Sequence, residues 1–208
     1  MIRHQRPALI LFTALILPAM VIFGCGGSNS TPTSSPACMT FVPAQAPAAG
    51  FVAPEVDASS TCDILVLNMM VTDVNDLFGG GALLSFPTNL MTYTGISSAG
   101  STLAQNGVAV EVAGDRACPD ASGNWCRPLG QFFGEVTIGI SRFSGVAPGV
   151  NVGAAPERLL RLTFTKGTGE GTTILSFPSD TNLFNSNIPP NNIIQPAPVW
   201  IGGTVTVN

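Results

Sequence analysis

Histidine is missing from this chain after residue 4, lysine occurs once, at position 166, and charged side chains make up 10% of the 208 residues. Without an imidazole, the usual general base and the commonest metal ligand are both absent downstream of His4. There is no Gly-x-Ser-x-Gly elbow and no Gly-rich phosphate loop opening a helix, so serine hydrolysis and nucleotide chemistry lack their parts. The twelve Asp and Glu are scattered, and no spacing singles out a pair for glycoside hydrolysis. Phosphate binding needs clustered Lys and Arg; here they are dispersed, which argues against nucleic acid as a partner. No Cys-x-x-Cys pair offers zinc a site, and no internal repeat or sustained helical period is visible. These absences point to a non-catalytic protein with no cofactor and no metal.

What is present begins with an export signal. Arg3 and Arg6 precede an uncharged stretch from Pro7 to Phe23, which Pro18 interrupts and which is short for a span of about 20 residues. The stretch ends in Val21-Ile22-Phe23-Gly24-Cys25, which resembles the lipobox of bacterial lipoproteins. That resemblance implies cleavage after residue 24, acylation of Cys25 and a lipid anchor in the cell membrane or outer membrane, with the rest of the chain extracytoplasmic. Each buried CH₂ of an acyl chain contributes about 0.8 kcal/mol, so several chains on one cysteine hold a protein firmly. Removing 1–24 leaves six Lys or Arg against twelve Asp or Glu, a net charge of −6.

Residues 25–36, rich in Gly, Ser, Thr and Pro, read as a flexible spacer after the lipidated cysteine. Residues 37–62 carry Pro43, Pro47 and Pro54 and read as an extended, loosely ordered lead-in ahead of a domain over 63–208. Four further cysteines in an exported chain suggest two disulfides. Of the three possible pairings, Cys118 with Cys126, across a short loop, and Cys38 with Cys62, pinning the lead-in, are favoured.

From Asp63 onward, short apolar runs alternate with Gly, Asn, Asp and Pro, the punctuation of an all-β domain. In Phe132 to Arg142 one phase carries Val136, Ile138 and Ile140, while Phe133, Glu135 and Thr137 take the other. Arg158 to Thr165 sets Leu160, Leu162 and Phe164 against Leu159, Arg161 and Thr163. Near the C-terminus Val199, Ile201, Val205 and Val207 alternate with Trp200, Thr204 and Thr206. Adding 64–72, 81–86, 92–96, 108–112 and 173–177 gives about eight or nine strands, enough for two antiparallel sheets packed face to face.

Two stretches resemble the cohesin family: Leu67 to Phe86 followed by Asn89 to Ile96, and Leu159 to Phe177 with its Gly-rich turn. The resemblance implies a jelly-roll β-sandwich of the carbohydrate-binding module superfamily over about 63–208. It implies, too, a protein partner of dockerin type, bound on a flat sheet face.

Candidate binding residues follow from phase and from one loop. Phe133, Leu159 and Trp200 fall in the solvent phase of their strands and would form an apolar patch, with Glu135 and Arg161 as its polar rim. Trp125, between Cys118 and Cys126, would be held near a rigid loop tip, where an indole can stack on a sugar or anchor a protein. Asp73, Asn75 and Asp76 read as turn formers rather than metal ligands. A protein-binding module is the first expectation. A polysaccharide-binding module using Trp125 or Trp200, or a structural envelope lipoprotein, are the alternatives.

Overall fold

The computed structural model describes residues 38–115, 133–143, 148–178, 181–187, 193–194 and 198–208. In chain order the strands are β1 (Met39–Pro43), β2 (Phe51–Val56), β3 (Ile64–Val71), β4 (Val74–Leu77), β5 (Gly79–Pro87), β6 (Met91–Ser97) and β7 (Val110–Asp115). They continue with β8 (Phe133–Arg142), β9 (Val150–Val152), β10 (Glu157–Lys166), β11 (Gly171–Leu175), β12 (Asn182–Phe184), β13 (Val199–Trp200) and β14 (Gly203–Val207). A 3-10 helix, Thr102–Gly107, lies between β6 and β7.

One sheet is five-stranded, in the order β13-β2-β3-β10-β6. Two further ladders, β1-β14-β11 and β12-β5-β8-β7, meet where Ser85 and Ser176 exchange backbone hydrogen bonds at 2.8 and 2.9 Å. They thus make one larger sheet, β1-β14-β11-β5-β8-β7, with β12 beside the first residues of β5. A small β4-β9 ribbon completes the pairing. The all-β sandwich of two sheets expected from the alternation is what forms. Its strand count is higher because β1 and β2 lie in the segment read as a lead-in and because β4, β9 and β12, pieces of three or four residues, give too little pattern to read.

The core fills the space between the sheets. From the five-stranded sheet come Leu65, Leu67, Met69, Leu162 and Phe164; from the larger one come Ala82, Leu84, Phe86, Val136, Ile138, Val205 and Val207. Phe86 and Phe164 meet across the gap edge-on, with ring centroids 5.8 Å apart, and Tyr93 stands 5.8 Å from Phe164 and 6.4 Å from Phe86. The Tyr93 hydroxyl is buried without a partner among the described residues, and burial pushes its pKa up to about 12.

The segment 37–62 is not a loose lead-in, because β1 and β2 are full members of the two sheets and Val52 and Ala53 are completely buried. Its prolines conceal this. Asp57 N donates to Val66 O, so the residues whose N–H faces β3 are Ala53 and Glu55, and Pro54, one step out of phase, turns its missing N–H toward the open edge beyond two-residue β13. Pro43 repeats the device: Ala44 N donates to Gly202 O, which leaves Pro43 facing the free edge of β1. There Met39 N–H is already taken by Cys62 O, so that edge offers little to an incoming strand. The Cys38–Cys62 disulfide forms as expected and ties the start of β1 to the turn before β3, one sheet to the other.

Among the described residues, no helix is long and apolar enough to cross a membrane. Phe164→Ala, which empties the ring cluster, is expected to cost about 3–5 kcal/mol in denaturant unfolding. Tyr93→Phe, which removes an unpartnered hydroxyl, should cost well under 1 kcal/mol; the reverse order would contradict this packing.

Candidate functional site

The five nominated strand residues separate. Glu135 is half-buried on the outer side of β8, opposite Ser85 on β5, in the phase expected of it. Phe133 opens β8 opposite Pro87, and its side chain lies outside the described residues. Leu159 and Trp200, expected on the surface, are both buried. Arg161 does face outward, but on β10 of the other sheet, so it and Glu135 cannot rim one patch. Cys25, Trp125, Cys118 and Cys126 lie outside the described residues.

Each correction has a local cause. In β10 the register to β3 runs Arg158 with Met70 and then Leu160 with Met69, which leaves Leu159 as the extra residue of a β-bulge. The bulge puts Leu159 and Leu160 both inside. Trp200 inverts for a different reason: β13 pairs in parallel with β2, whereas β14 pairs with β1 and β11 in the larger sheet. The chain therefore changes sheets across Ile201 and Gly202, and one alternation cannot cover both strands. Val199 is 52% exposed, while Trp200 packs on Phe177 with ring centroids 5.4 Å apart.

Two outer faces remain. On the larger sheet, β5 presents Gly81, Leu83 and Ser85 beside Gly139, Thr137 and Glu135 of β8. Next to them β11 and β14 present Thr172, Ile174, Thr204 and Thr206, and β1 presents Thr40 and Val42. Ile174 and Val42 are 62% and 65% exposed, the largest values among the described apolar side chains. Among the described side chains, the β11 and β5 part of this face carries no charge, and Glu135 on β8 and Glu111 on β7 stand to one side. Its small side chains keep it flat. Adjacent Thr172 and Thr206 hydroxyls are 3.0 Å apart.

The outer face of the five-stranded sheet is charged, and its carboxylate at Asp57 is bonded on both oxygens. Asp57 Oδ1 accepts from the Ser59 hydroxyl at 2.6 Å and its N–H at 2.9 Å; Oδ2 accepts from Asn68 Nδ2 at 2.8 Å and Arg161 Nη2 at 2.8 Å. The Ser59 hydroxyl and backbone N–H, then Asn68 and the Arg161 guanidinium, hold this carboxyl well below the usual carboxylate range. Asn68 Oδ1 in turn accepts from Arg161 Nε and Arg158 Nη1, each at 3.3 Å. The sequence offered no signal for Asp57, since it sits in the segment taken for a lead-in.

Asp73 sits at the bend before β4, as expected of a turn former, but Asn75 and Asp76 lie within β4, where its register to β9 shifts; φ is 54° at Asp73 and 55° at Asp76. The Asp76 carboxylate accepts from Gly149 N at 2.9 Å, Ser186 N at 3.1 Å and the Ser186 hydroxyl, joining three loops. No cluster of three or more His, Cys, Asp or Glu suited to a metal exists among the described residues.

No family model and no curated protein matches the chain by sequence. Several solved structures resemble it. A non-cellulosomal cohesin from the archaeon Archaeoglobus fulgidus is 14% identical at a TM-score of 0.43, over 80% of this chain and 88% of that one. A type II cohesin domain from the cellulosome of Acetivibrio cellulolyticus is 13% identical at 0.46, over 82% and 94%. A type II cohesin from the same organism, in complex with an X-dockerin, is 12% identical at 0.47, over 80% and 97%.

The Asp57 network sets a pH dependence. A carboxyl with a lowered pKa in the folded state stabilises the fold above its unfolded value, about 3.9, and that contribution fades as pH falls toward the folded value. The stability gap between wild type and Asp57→Asn, measured by thermal unfolding, should therefore be full at pH 7 and shrink below about pH 4. A gap that is constant, or that widens in acid, would contradict the network.

Proposed function

We propose that this chain is an exported lipoprotein, tethered through an acylated Cys25, whose sandwich binds a protein partner by contact and does no chemistry. The observation that carries the binding reading is the flat outer face of β11, β5 and β8. Among the described side chains its β11 and β5 part is free of charge, with Ile174 standing out and Glu135 of β8 and Glu111 of β7 to one side. Depletion of charge at the centre with a polar rim is the pattern of a protein interface. The resemblance of residues 67–96 and 159–177 to cohesins makes a dockerin-like module the first partner to try. Binding sugar by aromatic stacking has less to work with, because Trp200 is buried. The tether rests on the sequence from Arg3 to Cys25.

The test uses the full-length protein as bait for the secreted proteins of its source, with face variants as controls. A charge placed in a desolvated interface centre costs about 2 kcal/mol or more, roughly thirtyfold in affinity. Thr137→Arg and Ile174→Asp should release a captured partner, and Thr163→Arg, on the opposite sheet, should keep it. Retention by both face variants, or release by Thr163→Arg, would contradict the assignment. Cells grown with labelled palmitate should label the wild type and leave Cys25→Ala unlabelled; equal label on the two would remove the tether.

A further inference from the structure

The bulge at Leu159 turns the residue before it, Arg158, to the outer side of the five-stranded sheet, opposite Met70. There the guanidinium lies against Gly100, where φ is +69° and a Cβ would overlap Nη2. Its bonding is incomplete. Nη1 reaches Asn68 Oδ1 at 3.3 Å, and its approach to Asp57 is long, 3.9 Å, because Arg161 holds that carboxylate at 2.8 Å. Nε is buried with no partner among the described residues.

Beside this guanidinium is an open cavity of about 410 Å³ whose lining includes Gly100, Thr102, Gln105, Glu157 and Arg158. The hydrogen bonds within that lining show what is left over. The Thr102 hydroxyl donates to Glu157 Oε2, and Gln105 Nε2 donates to Thr102 Oγ1 at 2.8 Å and to Glu157 Oε2 at 3.0 Å. These bonds use the Thr102 hydroxyl, the Gln105 amide N–H and one carboxylate oxygen. Among the described residues, Glu157 Oε1 and the Gln105 carbonyl oxygen remain as acceptors, and Arg158 is the sole cation of the lining.

We propose that this cavity is a subsite for an acidic sugar, a hexuronate unit of a polysaccharide, with its carboxylate on Arg158 and its hydroxyls donating to Glu157 Oε1 and the Gln105 carbonyl. The residue chemistry selects that class. A phosphate would bring two negative charges up to Glu157, an apolar ligand would find no aromatic or large aliphatic side chain in the lining, and a neutral sugar would leave the guanidinium unmatched. The volume accommodates one or two sugar rings on the scale of small-ligand sites. The site lies on the five-stranded sheet and does not rest on the protein-binding face of the larger one.

Calorimetric titration of the purified full-length protein tests it, with a short oligogalacturonate as ligand and acetate and a neutral gluco-oligosaccharide of equal length as controls. Saturable binding of the oligogalacturonate is expected, about tenfold or more tighter than either control and weakened by salt. Arg158→Gln should lose about tenfold, and Gln105→Leu, at an exposed position, several-fold. Absence of saturable binding, equal affinity for the neutral oligosaccharide, or wild-type affinity in both variants would overturn the proposal. Should Arg158→Gln lower the melting temperature, Gln105→Leu decides alone, and unchanged affinity in it overturns the assignment.

Discussion

The rings of Phe86, Phe164 and Tyr93 meet between the two sheets, and the burial they share with Leu84, Ile138 and Leu162 fixes the phase of each strand that carries them. Fully burying one such side chain contributes about 1.5–3 kcal/mol, so turning a whole strand over would forfeit far more than any surface contact returns. Outward-facing residues are whatever the core leaves. The outer face of β11, β5 and β8, with Glu135 as its described charge, and the charged face around Asp57 are both products of that constraint.

Where the phase is unbroken, the sequence could be read directly. Val136, Ile138 and Ile140 alternate without interruption, and Glu135 and Thr137 were rightly placed outside. The lower part of β10 was equally plain, with Leu162 and Phe164 inside and Arg161 out. The pairing of Cys38 with Cys62, favoured because it pins the entry segment to the domain, forms as well. Readability failed where the phase depends on a partner strand. A bulge shows only in the register between β10 and β3, so alternation alone puts Leu159 outward. The change of sheet at Gly202 shows only once β13 is known to pair with β2, so alternation puts Trp200 outward too. Strands β1 and β2 were hidden by prolines whose harmlessness depends on which edge their missing N–H faces.

These same irregularities position the candidate sites. Had β10 run without its bulge, the alternation that sets Arg161 outward would have turned Arg158 toward the core. The guanidinium would not then lie against Gly100 or beside the Thr102–Gln105 cavity. The larger sheet, by contrast, keeps its alternation, so that Thr, Gly and Ser positions on adjacent strands line up beside Leu83 and Ile174 on its outer face. The contact binding proposed for that face calls for no imidazole and no metal.

Since phase decides which side chains the outside receives, the most direct measurement is of the residue whose inversion was least expected. The chain has two tryptophans, so Trp125→Phe leaves Trp200 as the sole indole. In that variant the folded protein should emit at short wavelength and resist quenching by iodide until it unfolds. Long-wavelength emission that iodide quenches freely in the folded state would place Trp200 in solvent and contradict the account.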